Sequence, residues 1–152
     1  MDTQEESRIV DGLDGSVHDD TVLAAALSEA HRRAATLRVV HAIDITMRDI
    51  IAIGAPGRSL VAEQAAHIAA IRSELRHQVD ATLTALGVSV PVEVQVERGD
   101  PATCLLRAAR DAELIVAGTR STGTGSPLLL GTVSQDIAVH AACPVLLIPA
   151  KT

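Results

Sequence analysis

The residues whose types and spacing best suit chemistry lie in Gly118–Ser134, GTRSTGTGSPLLLGTVS. The stretch leaves an apolar run and returns to a helix start at Gly131-Thr132-Val133, where backbone N–H groups without an intrahelical partner suit an anion. Gly118, Gly123, Gly125 and Gly131 allow the backbone to approach a ligand closely, and the hydroxyls of Thr119, Ser121, Thr124 and Thr132 can donate to phosphate oxygens. Composition alone leaves a solvated loop as an equal reading, so the weight falls on where the fold puts the segment.

Other chemistries find less support. There is no G-x-S-x-G nucleophile elbow, no H-E-x-x-H and no complete G-x-G-x-x-G after the first strand. The six histidines, His18, His31, His41, His67, His77 and His140, include no pair at i,i+4 spacing, and His41 reads as a structural residue outside the site. Cys104 and Cys143 lack CxxC spacing and fall among apolar neighbours, so both are expected to be reduced thiols. Twelve of the 13 basic residues are arginine, and the one lysine, Lys151, stands next to the last residue, which excludes a P-loop lysine and disfavours Schiff-base chemistry. No general base for efficient turnover is evident, and no metal site made of protein groups alone is expected.

Composition narrows the partners. The 152 residues contain 25 alanines and no Phe, Tyr or Trp, which removes base stacking on aromatic side chains. A net charge of -6 argues against a phosphate-backbone binder, so no nucleic acid is expected. No apolar run approaches the length of about 18 residues that suggests a membrane span, and the start MDTQEES is acidic, so the expectation is a cytoplasmic protein with no membrane partner.

Strand-like runs alternate with helical periodicity, the pattern of βαβ units on a parallel sheet. Strands are expected at 8–13, 37–43, 90–97, 113–118 and 144–149, and helices from about 20 to 36, 59 to 86, 100 to 111 and 131 to 142. Asp19 or Asp20 would cap the first helix, with Leu23, Leu27, Ala30 and Ala34 inward. Ile68, Ile71, Leu75, Val79 and Leu86 stripe the second helix and Gly87 stops it, and Asp100-Pro101 opens the third, with Ala102, Leu105, Leu106 and Ala109 inward. Alternation of Val90, Val92, Val94 and Val96 with polar residues suits an edge strand, and 44–58 reads as a long connection of the kind that forms lids. The expected fold is α/β, a doubly wound five-stranded parallel sheet in the order 3-2-1-4-5 with helices on both faces, formed by residues 8–150 after a tail at 1–7. Ligands bind such sheets where the strand order reverses, between the carboxyl ends of strands one and four. Asp11, inside the central strand, should reach the crevice rim or meet an arginine, since an unpaired buried carboxylate is costly.

Taken together, IVDGLDGS, VVHAID, RGDPATCLLRAARDAELIVAGTRS and LLLGTVSQDIAVHAACPVLLIPA resemble the universal stress protein family in its nucleotide-binding form, with the pattern G-x2-G-x9-G-[ST]. The resemblance implies a Rossmann-like fold and an adenine-nucleotide site, with ATP as the ligand and Mg2+ or Mn2+ held through its phosphates. It places Asp14 at the family's nucleotide-contacting aspartate, Gly12 on the same wall and Ala42 beside the adenine edge. Ala117 and Gly118 would flank the ribose, and Ser121, Gly131, Thr132 and Val133 would cradle the phosphates. Ser121 departs from the pattern's second glycine, and if that position needs positive φ the serine costs about 1 kcal/mol or more. The resemblance further implies a homodimer through 144–149 and a stress-response regulator that at most hydrolyses ATP slowly. Two alternatives stay open: a nucleotide-independent interaction protein, and a binder of AMP or cyclic AMP.

Overall fold

The computed structural model describes residues 6–43, 60–119 and 131–149. The expected lid at 44–58, Ser121 and most of the Gly/Ser/Thr loop lie outside the described residues. In chain order the elements are β1 (Arg8–Leu13), α1 (Asp19–Arg33), β2 (Thr36–Ile43), α2 (Leu60–Leu86), β3 (Val92–Arg98), α3 (Pro101–Ala108), β4 (Leu114–Gly118), α4 (Thr132–His140) and β5 (Val145–Ile148). The five strands form one parallel sheet in the order β3-β2-β1-β4-β5, as the pattern of alternating elements requires.

Strand periodicity divides the core into two layers. Ile9 and Leu13 of β1, Leu37 and Val39 of β2, and Leu114 and Val116 of β4 pack with Leu23, Leu27, Leu75 and Val79 of α1 and α2. On the other face Val10, Val40, Ile115 and Ala117 meet Leu105 and Ile137 of α3 and α4. β1 lies between β2 and β4, with Ile9 opposite both Leu37 and Leu114. β3 is an edge strand as expected, and β5 forms the opposite edge, half-buried along its length.

Helix ends differ from expectation where the sheet dictates them. α1 stops at Arg33 rather than Thr36 because Thr36 is already paired to β1, its N–H donating to Ser7 O at 2.9 Å. The reversal is made by Ala34 in the left-handed region at φ 52°, which leaves Ala34 exposed instead of inward. α3 stops at Ala108 rather than Asp111, since tight turns through Arg110 and Ala112 bring Glu113 N–H to Arg8 O at 2.9 Å. Its start is as read: Asp100 accepts from Thr103 N–H at 3.0 Å and from the Thr103 hydroxyl at 2.8 Å, with Pro101 at the first helical position. Those two bonds hold the Asp100 carboxyl below its ordinary value. Gly87, at φ 66°, closes α2 with its N–H on Leu83 O at 3.0 Å, although Leu86 turns outward and Leu83 takes its place against the core. No helix among the described residues is long and apolar enough to cross a membrane.

Candidate functional site

A cavity of about 210 Å³ opens at the carboxyl ends of β1, β2 and β4, where the strand order reverses. Gly12 and Leu13 of β1 form its floor, Val40 and Ala42 of β2 one wall, and Ala117 and Gly118 of β4 the other. Pro101 and Leu105 of α3, Val22 of α1, and Val133 and Ser134 of α4 close it with mainly aliphatic surface. The lip is polar, made by Asp14, Ser16, His18 and Asp19. Gly12 is fixed by packing: a Cβ there would stand 2.8 Å from Leu105 Cδ2, so any side chain must displace that leucine.

The β1–α1 connection is a set of short polar contacts. Asp14 accepts Ser16 N–H at 2.9 Å through Oδ1, the turn expected of an Asp-Gly-Ser sequence, and Gly15 adopts φ 81°. Asp19 does not cap α1, contrary to the sequence expectation; His18 is the N-cap residue, with no side-chain cap bond. The Asp19 carboxylate instead reaches back under the loop to accept N–H from Asp14 at 3.1 Å and Gly15 at 2.9 Å. Burial, the largest influence, and the neighbouring Asp14 carboxylate raise Asp19 against those two N–H bonds, to about 6.

On the α4 side the helix start is stitched to the end of β4. Ser134 Oγ donates to Gly118 O at 2.7 Å and Gly131 N–H donates to Thr119 O at 2.8 Å. Gly131 has no side chain to cap α4, so the first-turn N–H groups beside Val133 are left for a ligand or water. His41 is structural, its Nδ1 3.0 Å from Leu13 O, behind the loop. Among the described residues no group of three or more His, Cys, Asp or Glu could hold a metal ion.

Comparison with known proteins is decided by the span of the match. The model of the universal stress protein family matches residues 6–149. The chain belongs to the universal stress protein family. A universal stress protein of Thermus aquaticus is 38% identical over 138 residues, covering 89% of this chain and 93% of the relative. One from Mycolicibacterium smegmatis is 33% identical over 144 residues, covering 90% of this chain but 44% of the relative, so the chain spans less than half of that longer protein. Among solved structures, a universal stress protein from Lactobacillus plantarum superposes with a TM-score of 0.74 at 20% identity, covering 93% of this chain and 97% of its own. A universal stress protein in complex with cyclic AMP superposes at 0.66 with 24% identity, covering 96% and 98%. One from Archaeoglobus fulgidus in complex with dAMP gives 0.56 at 21%, covering 94% and 97%.

In this universal stress protein the cavity brings together six of the nine residues read from the sequence: Gly12, Asp14, Ala42, Ala117, Gly118 and Val133. Gly131 and Thr132 adjoin it at the start of α4 without lining it, and Ser121 lies outside the described residues. Leu105, Val22, Val40, Ser134 and Asp19 line the cavity and were not assigned to the site. The Asp-Gly-Ser-x-x-Asp spacing of residues 14–19 is the one signal from which Asp19 was readable.

Asp11 overturns its expectation. It is 0% exposed, and among the described residues neither carboxyl oxygen has a hydrogen-bond partner. In register it stands between Val39 of β2 and Val116 of β4. It reaches neither the rim nor an arginine, because strand alternation turns it to the α1 face with Ile9 and Leu13. Burial above all, with the nearby Asp19 charge, pushes its carboxyl well above the ordinary value. It is therefore a carboxyl in an aliphatic layer, where burial favours its neutral form.

Proposed function

We propose that this universal stress protein binds an adenine nucleotide in the cavity at the β1/β4 switch point and acts by binding rather than by turnover. The observation that carries the reading is the cavity's composition: aliphatic walls at Val22, Val40, Leu105 and Val133, a carboxylate at Asp14 on one lip, and the uncapped start of α4 on another. A purine lies between aliphatic side chains without an aromatic platform, Asp14 accepts from an amino or ribose hydroxyl donor, and the first-turn N–H groups with Thr132 receive phosphate. Gly118 and the small side chains of Ala42 and Ala117 leave room for base and sugar, while Leu105 packs over Gly12. Cyclic AMP and dAMP in the solved relatives support the ligand class.

ATP is the ligand we assign, with Mg2+ or Mn2+ carried on its phosphates and the occupied state regulating a stress response. Among the described residues the ionisable groups lining the cavity, Asp14, His18 and Asp19, belong to the β1–α1 side, which supports binding without efficient hydrolysis. A second reading, AMP or cyclic AMP, is favoured by the 210 Å³ volume, below the range of about 300–1,000 Å³ usual for small-molecule pockets. Parallel titrations with ATP, AMP and cyclic AMP separate the two: the assignment holds if ATP binds most tightly and fails if a monophosphate does. The half-buried edge strand β5, with Val139 of α4 75% exposed, supports pairing with a second copy through 144–149. Sedimentation should give a dimer at micromolar concentration, and a monomer there overturns that assignment.

A further inference from the structure

The β1–α1 loop is held from beneath by a single carboxylate. Asp19 is 5% exposed, and its two oxygens receive the N–H groups of Asp14 and Gly15, the two residues that set where the Asp14 side chain leaves the backbone. The Asp14 carboxylate, which accepts Ser16 N–H in the same loop, is a charged neighbour that raises the Asp19 carboxyl. Resting on the adenine-nucleotide reading above, we propose that Asp19 is a positioning residue that aims Asp14 at the nucleotide, and that a proton taken up by Asp19 releases the ligand. In the acid form the new O–H of Asp19 donates to the Asp14 carboxylate, which then has one acceptor fewer for the amino or hydroxyl donors of the ligand. A neutral carboxyl also grips the two loop N–H groups less strongly than a carboxylate does.

Burial lifts Asp19 first, the Asp14 and Gly15 N–H groups hold it down, the Asp14 charge and hydrogen bond lift it further, and the balance stands at about 6. The other ionisable groups around it come from four places. Asp11 on β1 is fully buried, and burial together with the Asp19 charge raises its carboxyl well above the ordinary value. His41 on β2 is tied through Nδ1 to Leu13 O, and His18 sits at the cavity lip. Asp20, next on α1, receives Gln78 Nε2 of α2 at 2.8 Å. Among the described residues, β4, β5, α3 and α4 bring no titratable side chain to the cavity wall. His18 and His41 are ionisable neighbours, so the test must separate Asp19 from them.

Asp19→Asn does so, because asparagine keeps an acceptor for one loop N–H and does not titrate. Affinity for cyclic AMP, ATP and AMP is measured from about pH 8 to about pH 5 for the wild type and the variant, and the ratio of the two cancels every pH effect that both proteins share. If binding needs an ionised group with a value of about 6, the wild type loses about tenfold relative to the variant at pH 5. A ratio flat with pH, with both proteins binding at pH 8, overturns the switch and leaves the nucleotide reading intact. No binding of any of the three at pH 8 by the wild type overturns both. Should Asp19→Asn fail to fold by circular dichroism, calorimetry of a His18→Gln/His41→Gln variant with cyclic AMP at pH 6 in two buffers of different ionisation heat still decides. Release of about half a proton per site is expected, and no release overturns the proposal.

Discussion

Replacing Asp11 by valine is expected to stabilise the protein, and by more as the pH rises. The carboxyl is wholly buried between Val39 and Val116 with neither oxygen bonded among the described residues, and valine has nearly its shape. Removing an unsatisfied neutral polar group and adding aliphatic contact gives about 2 kcal/mol even where Asp11 is protonated in both folded and unfolded states. Above that point the sign follows from the raised value of the folded carboxyl. From about pH 4, where the unfolded chain releases this proton, the folded chain still holds it, so wild-type stability falls by about 1.4 kcal/mol per pH unit until the buried group itself ionises. The variant lacks that loss. Its advantage should grow steadily from the baseline of about 2 kcal/mol as the pH rises above about 4, for as long as the buried acid keeps its proton. Because the chain has no Trp or Tyr, urea unfolding is followed by circular dichroism at fixed protein concentration. Asp11→Asn, polar but not titrating, should share the pH trend without the full packing gain. A valine variant no more stable than the wild type, or an advantage independent of pH, would refute the account of Asp11 as a carboxyl whose neutral form is favoured in an apolar layer.

Ala34→Gly should raise stability by about 1 kcal/mol, since the residue holds φ 52° at the end of α1; a loss of stability in urea would contradict the role given to that turn. Gly12→Ala should cost about 1–3 kcal/mol by driving a Cβ into Leu105 Cδ2, and Leu105→Ala in the same chain should recover part of it, so additive losses in a double-mutant cycle would sink the close-contact argument. Asp100→Ala should cost about 1 kcal/mol at neutral pH through the lost cap of α3. The folded Asp100 carboxyl is lowered, so its contribution is present above about pH 4 and disappears as the pH falls through the folded value. A cost of Asp100→Ala that stays constant into acid would show the cap acting without its charge.

Much of the fold was legible because particular local signals agree with the sheet. Val and Ile runs mark β1, β2 and β4, Pro101 after Asp100 opens α3, and Gly87 ends α2. The misplaced helix ends have tertiary causes. Nothing in alanine announces a left-handed turn, and Ala34 adopts one because Thr36 must join β2 beside Arg8. Asp11 was misread for the same reason: alternation along β1 is local, but the lack of any arginine on the α1 face at that level is a property of the packed layer. In the site, the strand-end residues Gly12, Ala42, Ala117 and Gly118 follow from topology, whereas Leu105 reads as ordinary core because one face of α3 serves both core and cavity. Asp19 looked like a helix cap because an aspartate at that position suits either a cap or the loop before it, and only the loop's curvature decides.

Calorimetric titration of nucleotide-stripped protein with ATP, AMP and cyclic AMP at about pH 8, beside Asp14→Ala, tests the central claim most directly. At least one of the three should bind near one per chain, and Asp14→Ala should weaken it by about tenfold or more, the loss of a charge-assisted hydrogen bond. Absence of binding by all three, or full affinity in Asp14→Ala, would contradict the adenine-nucleotide site.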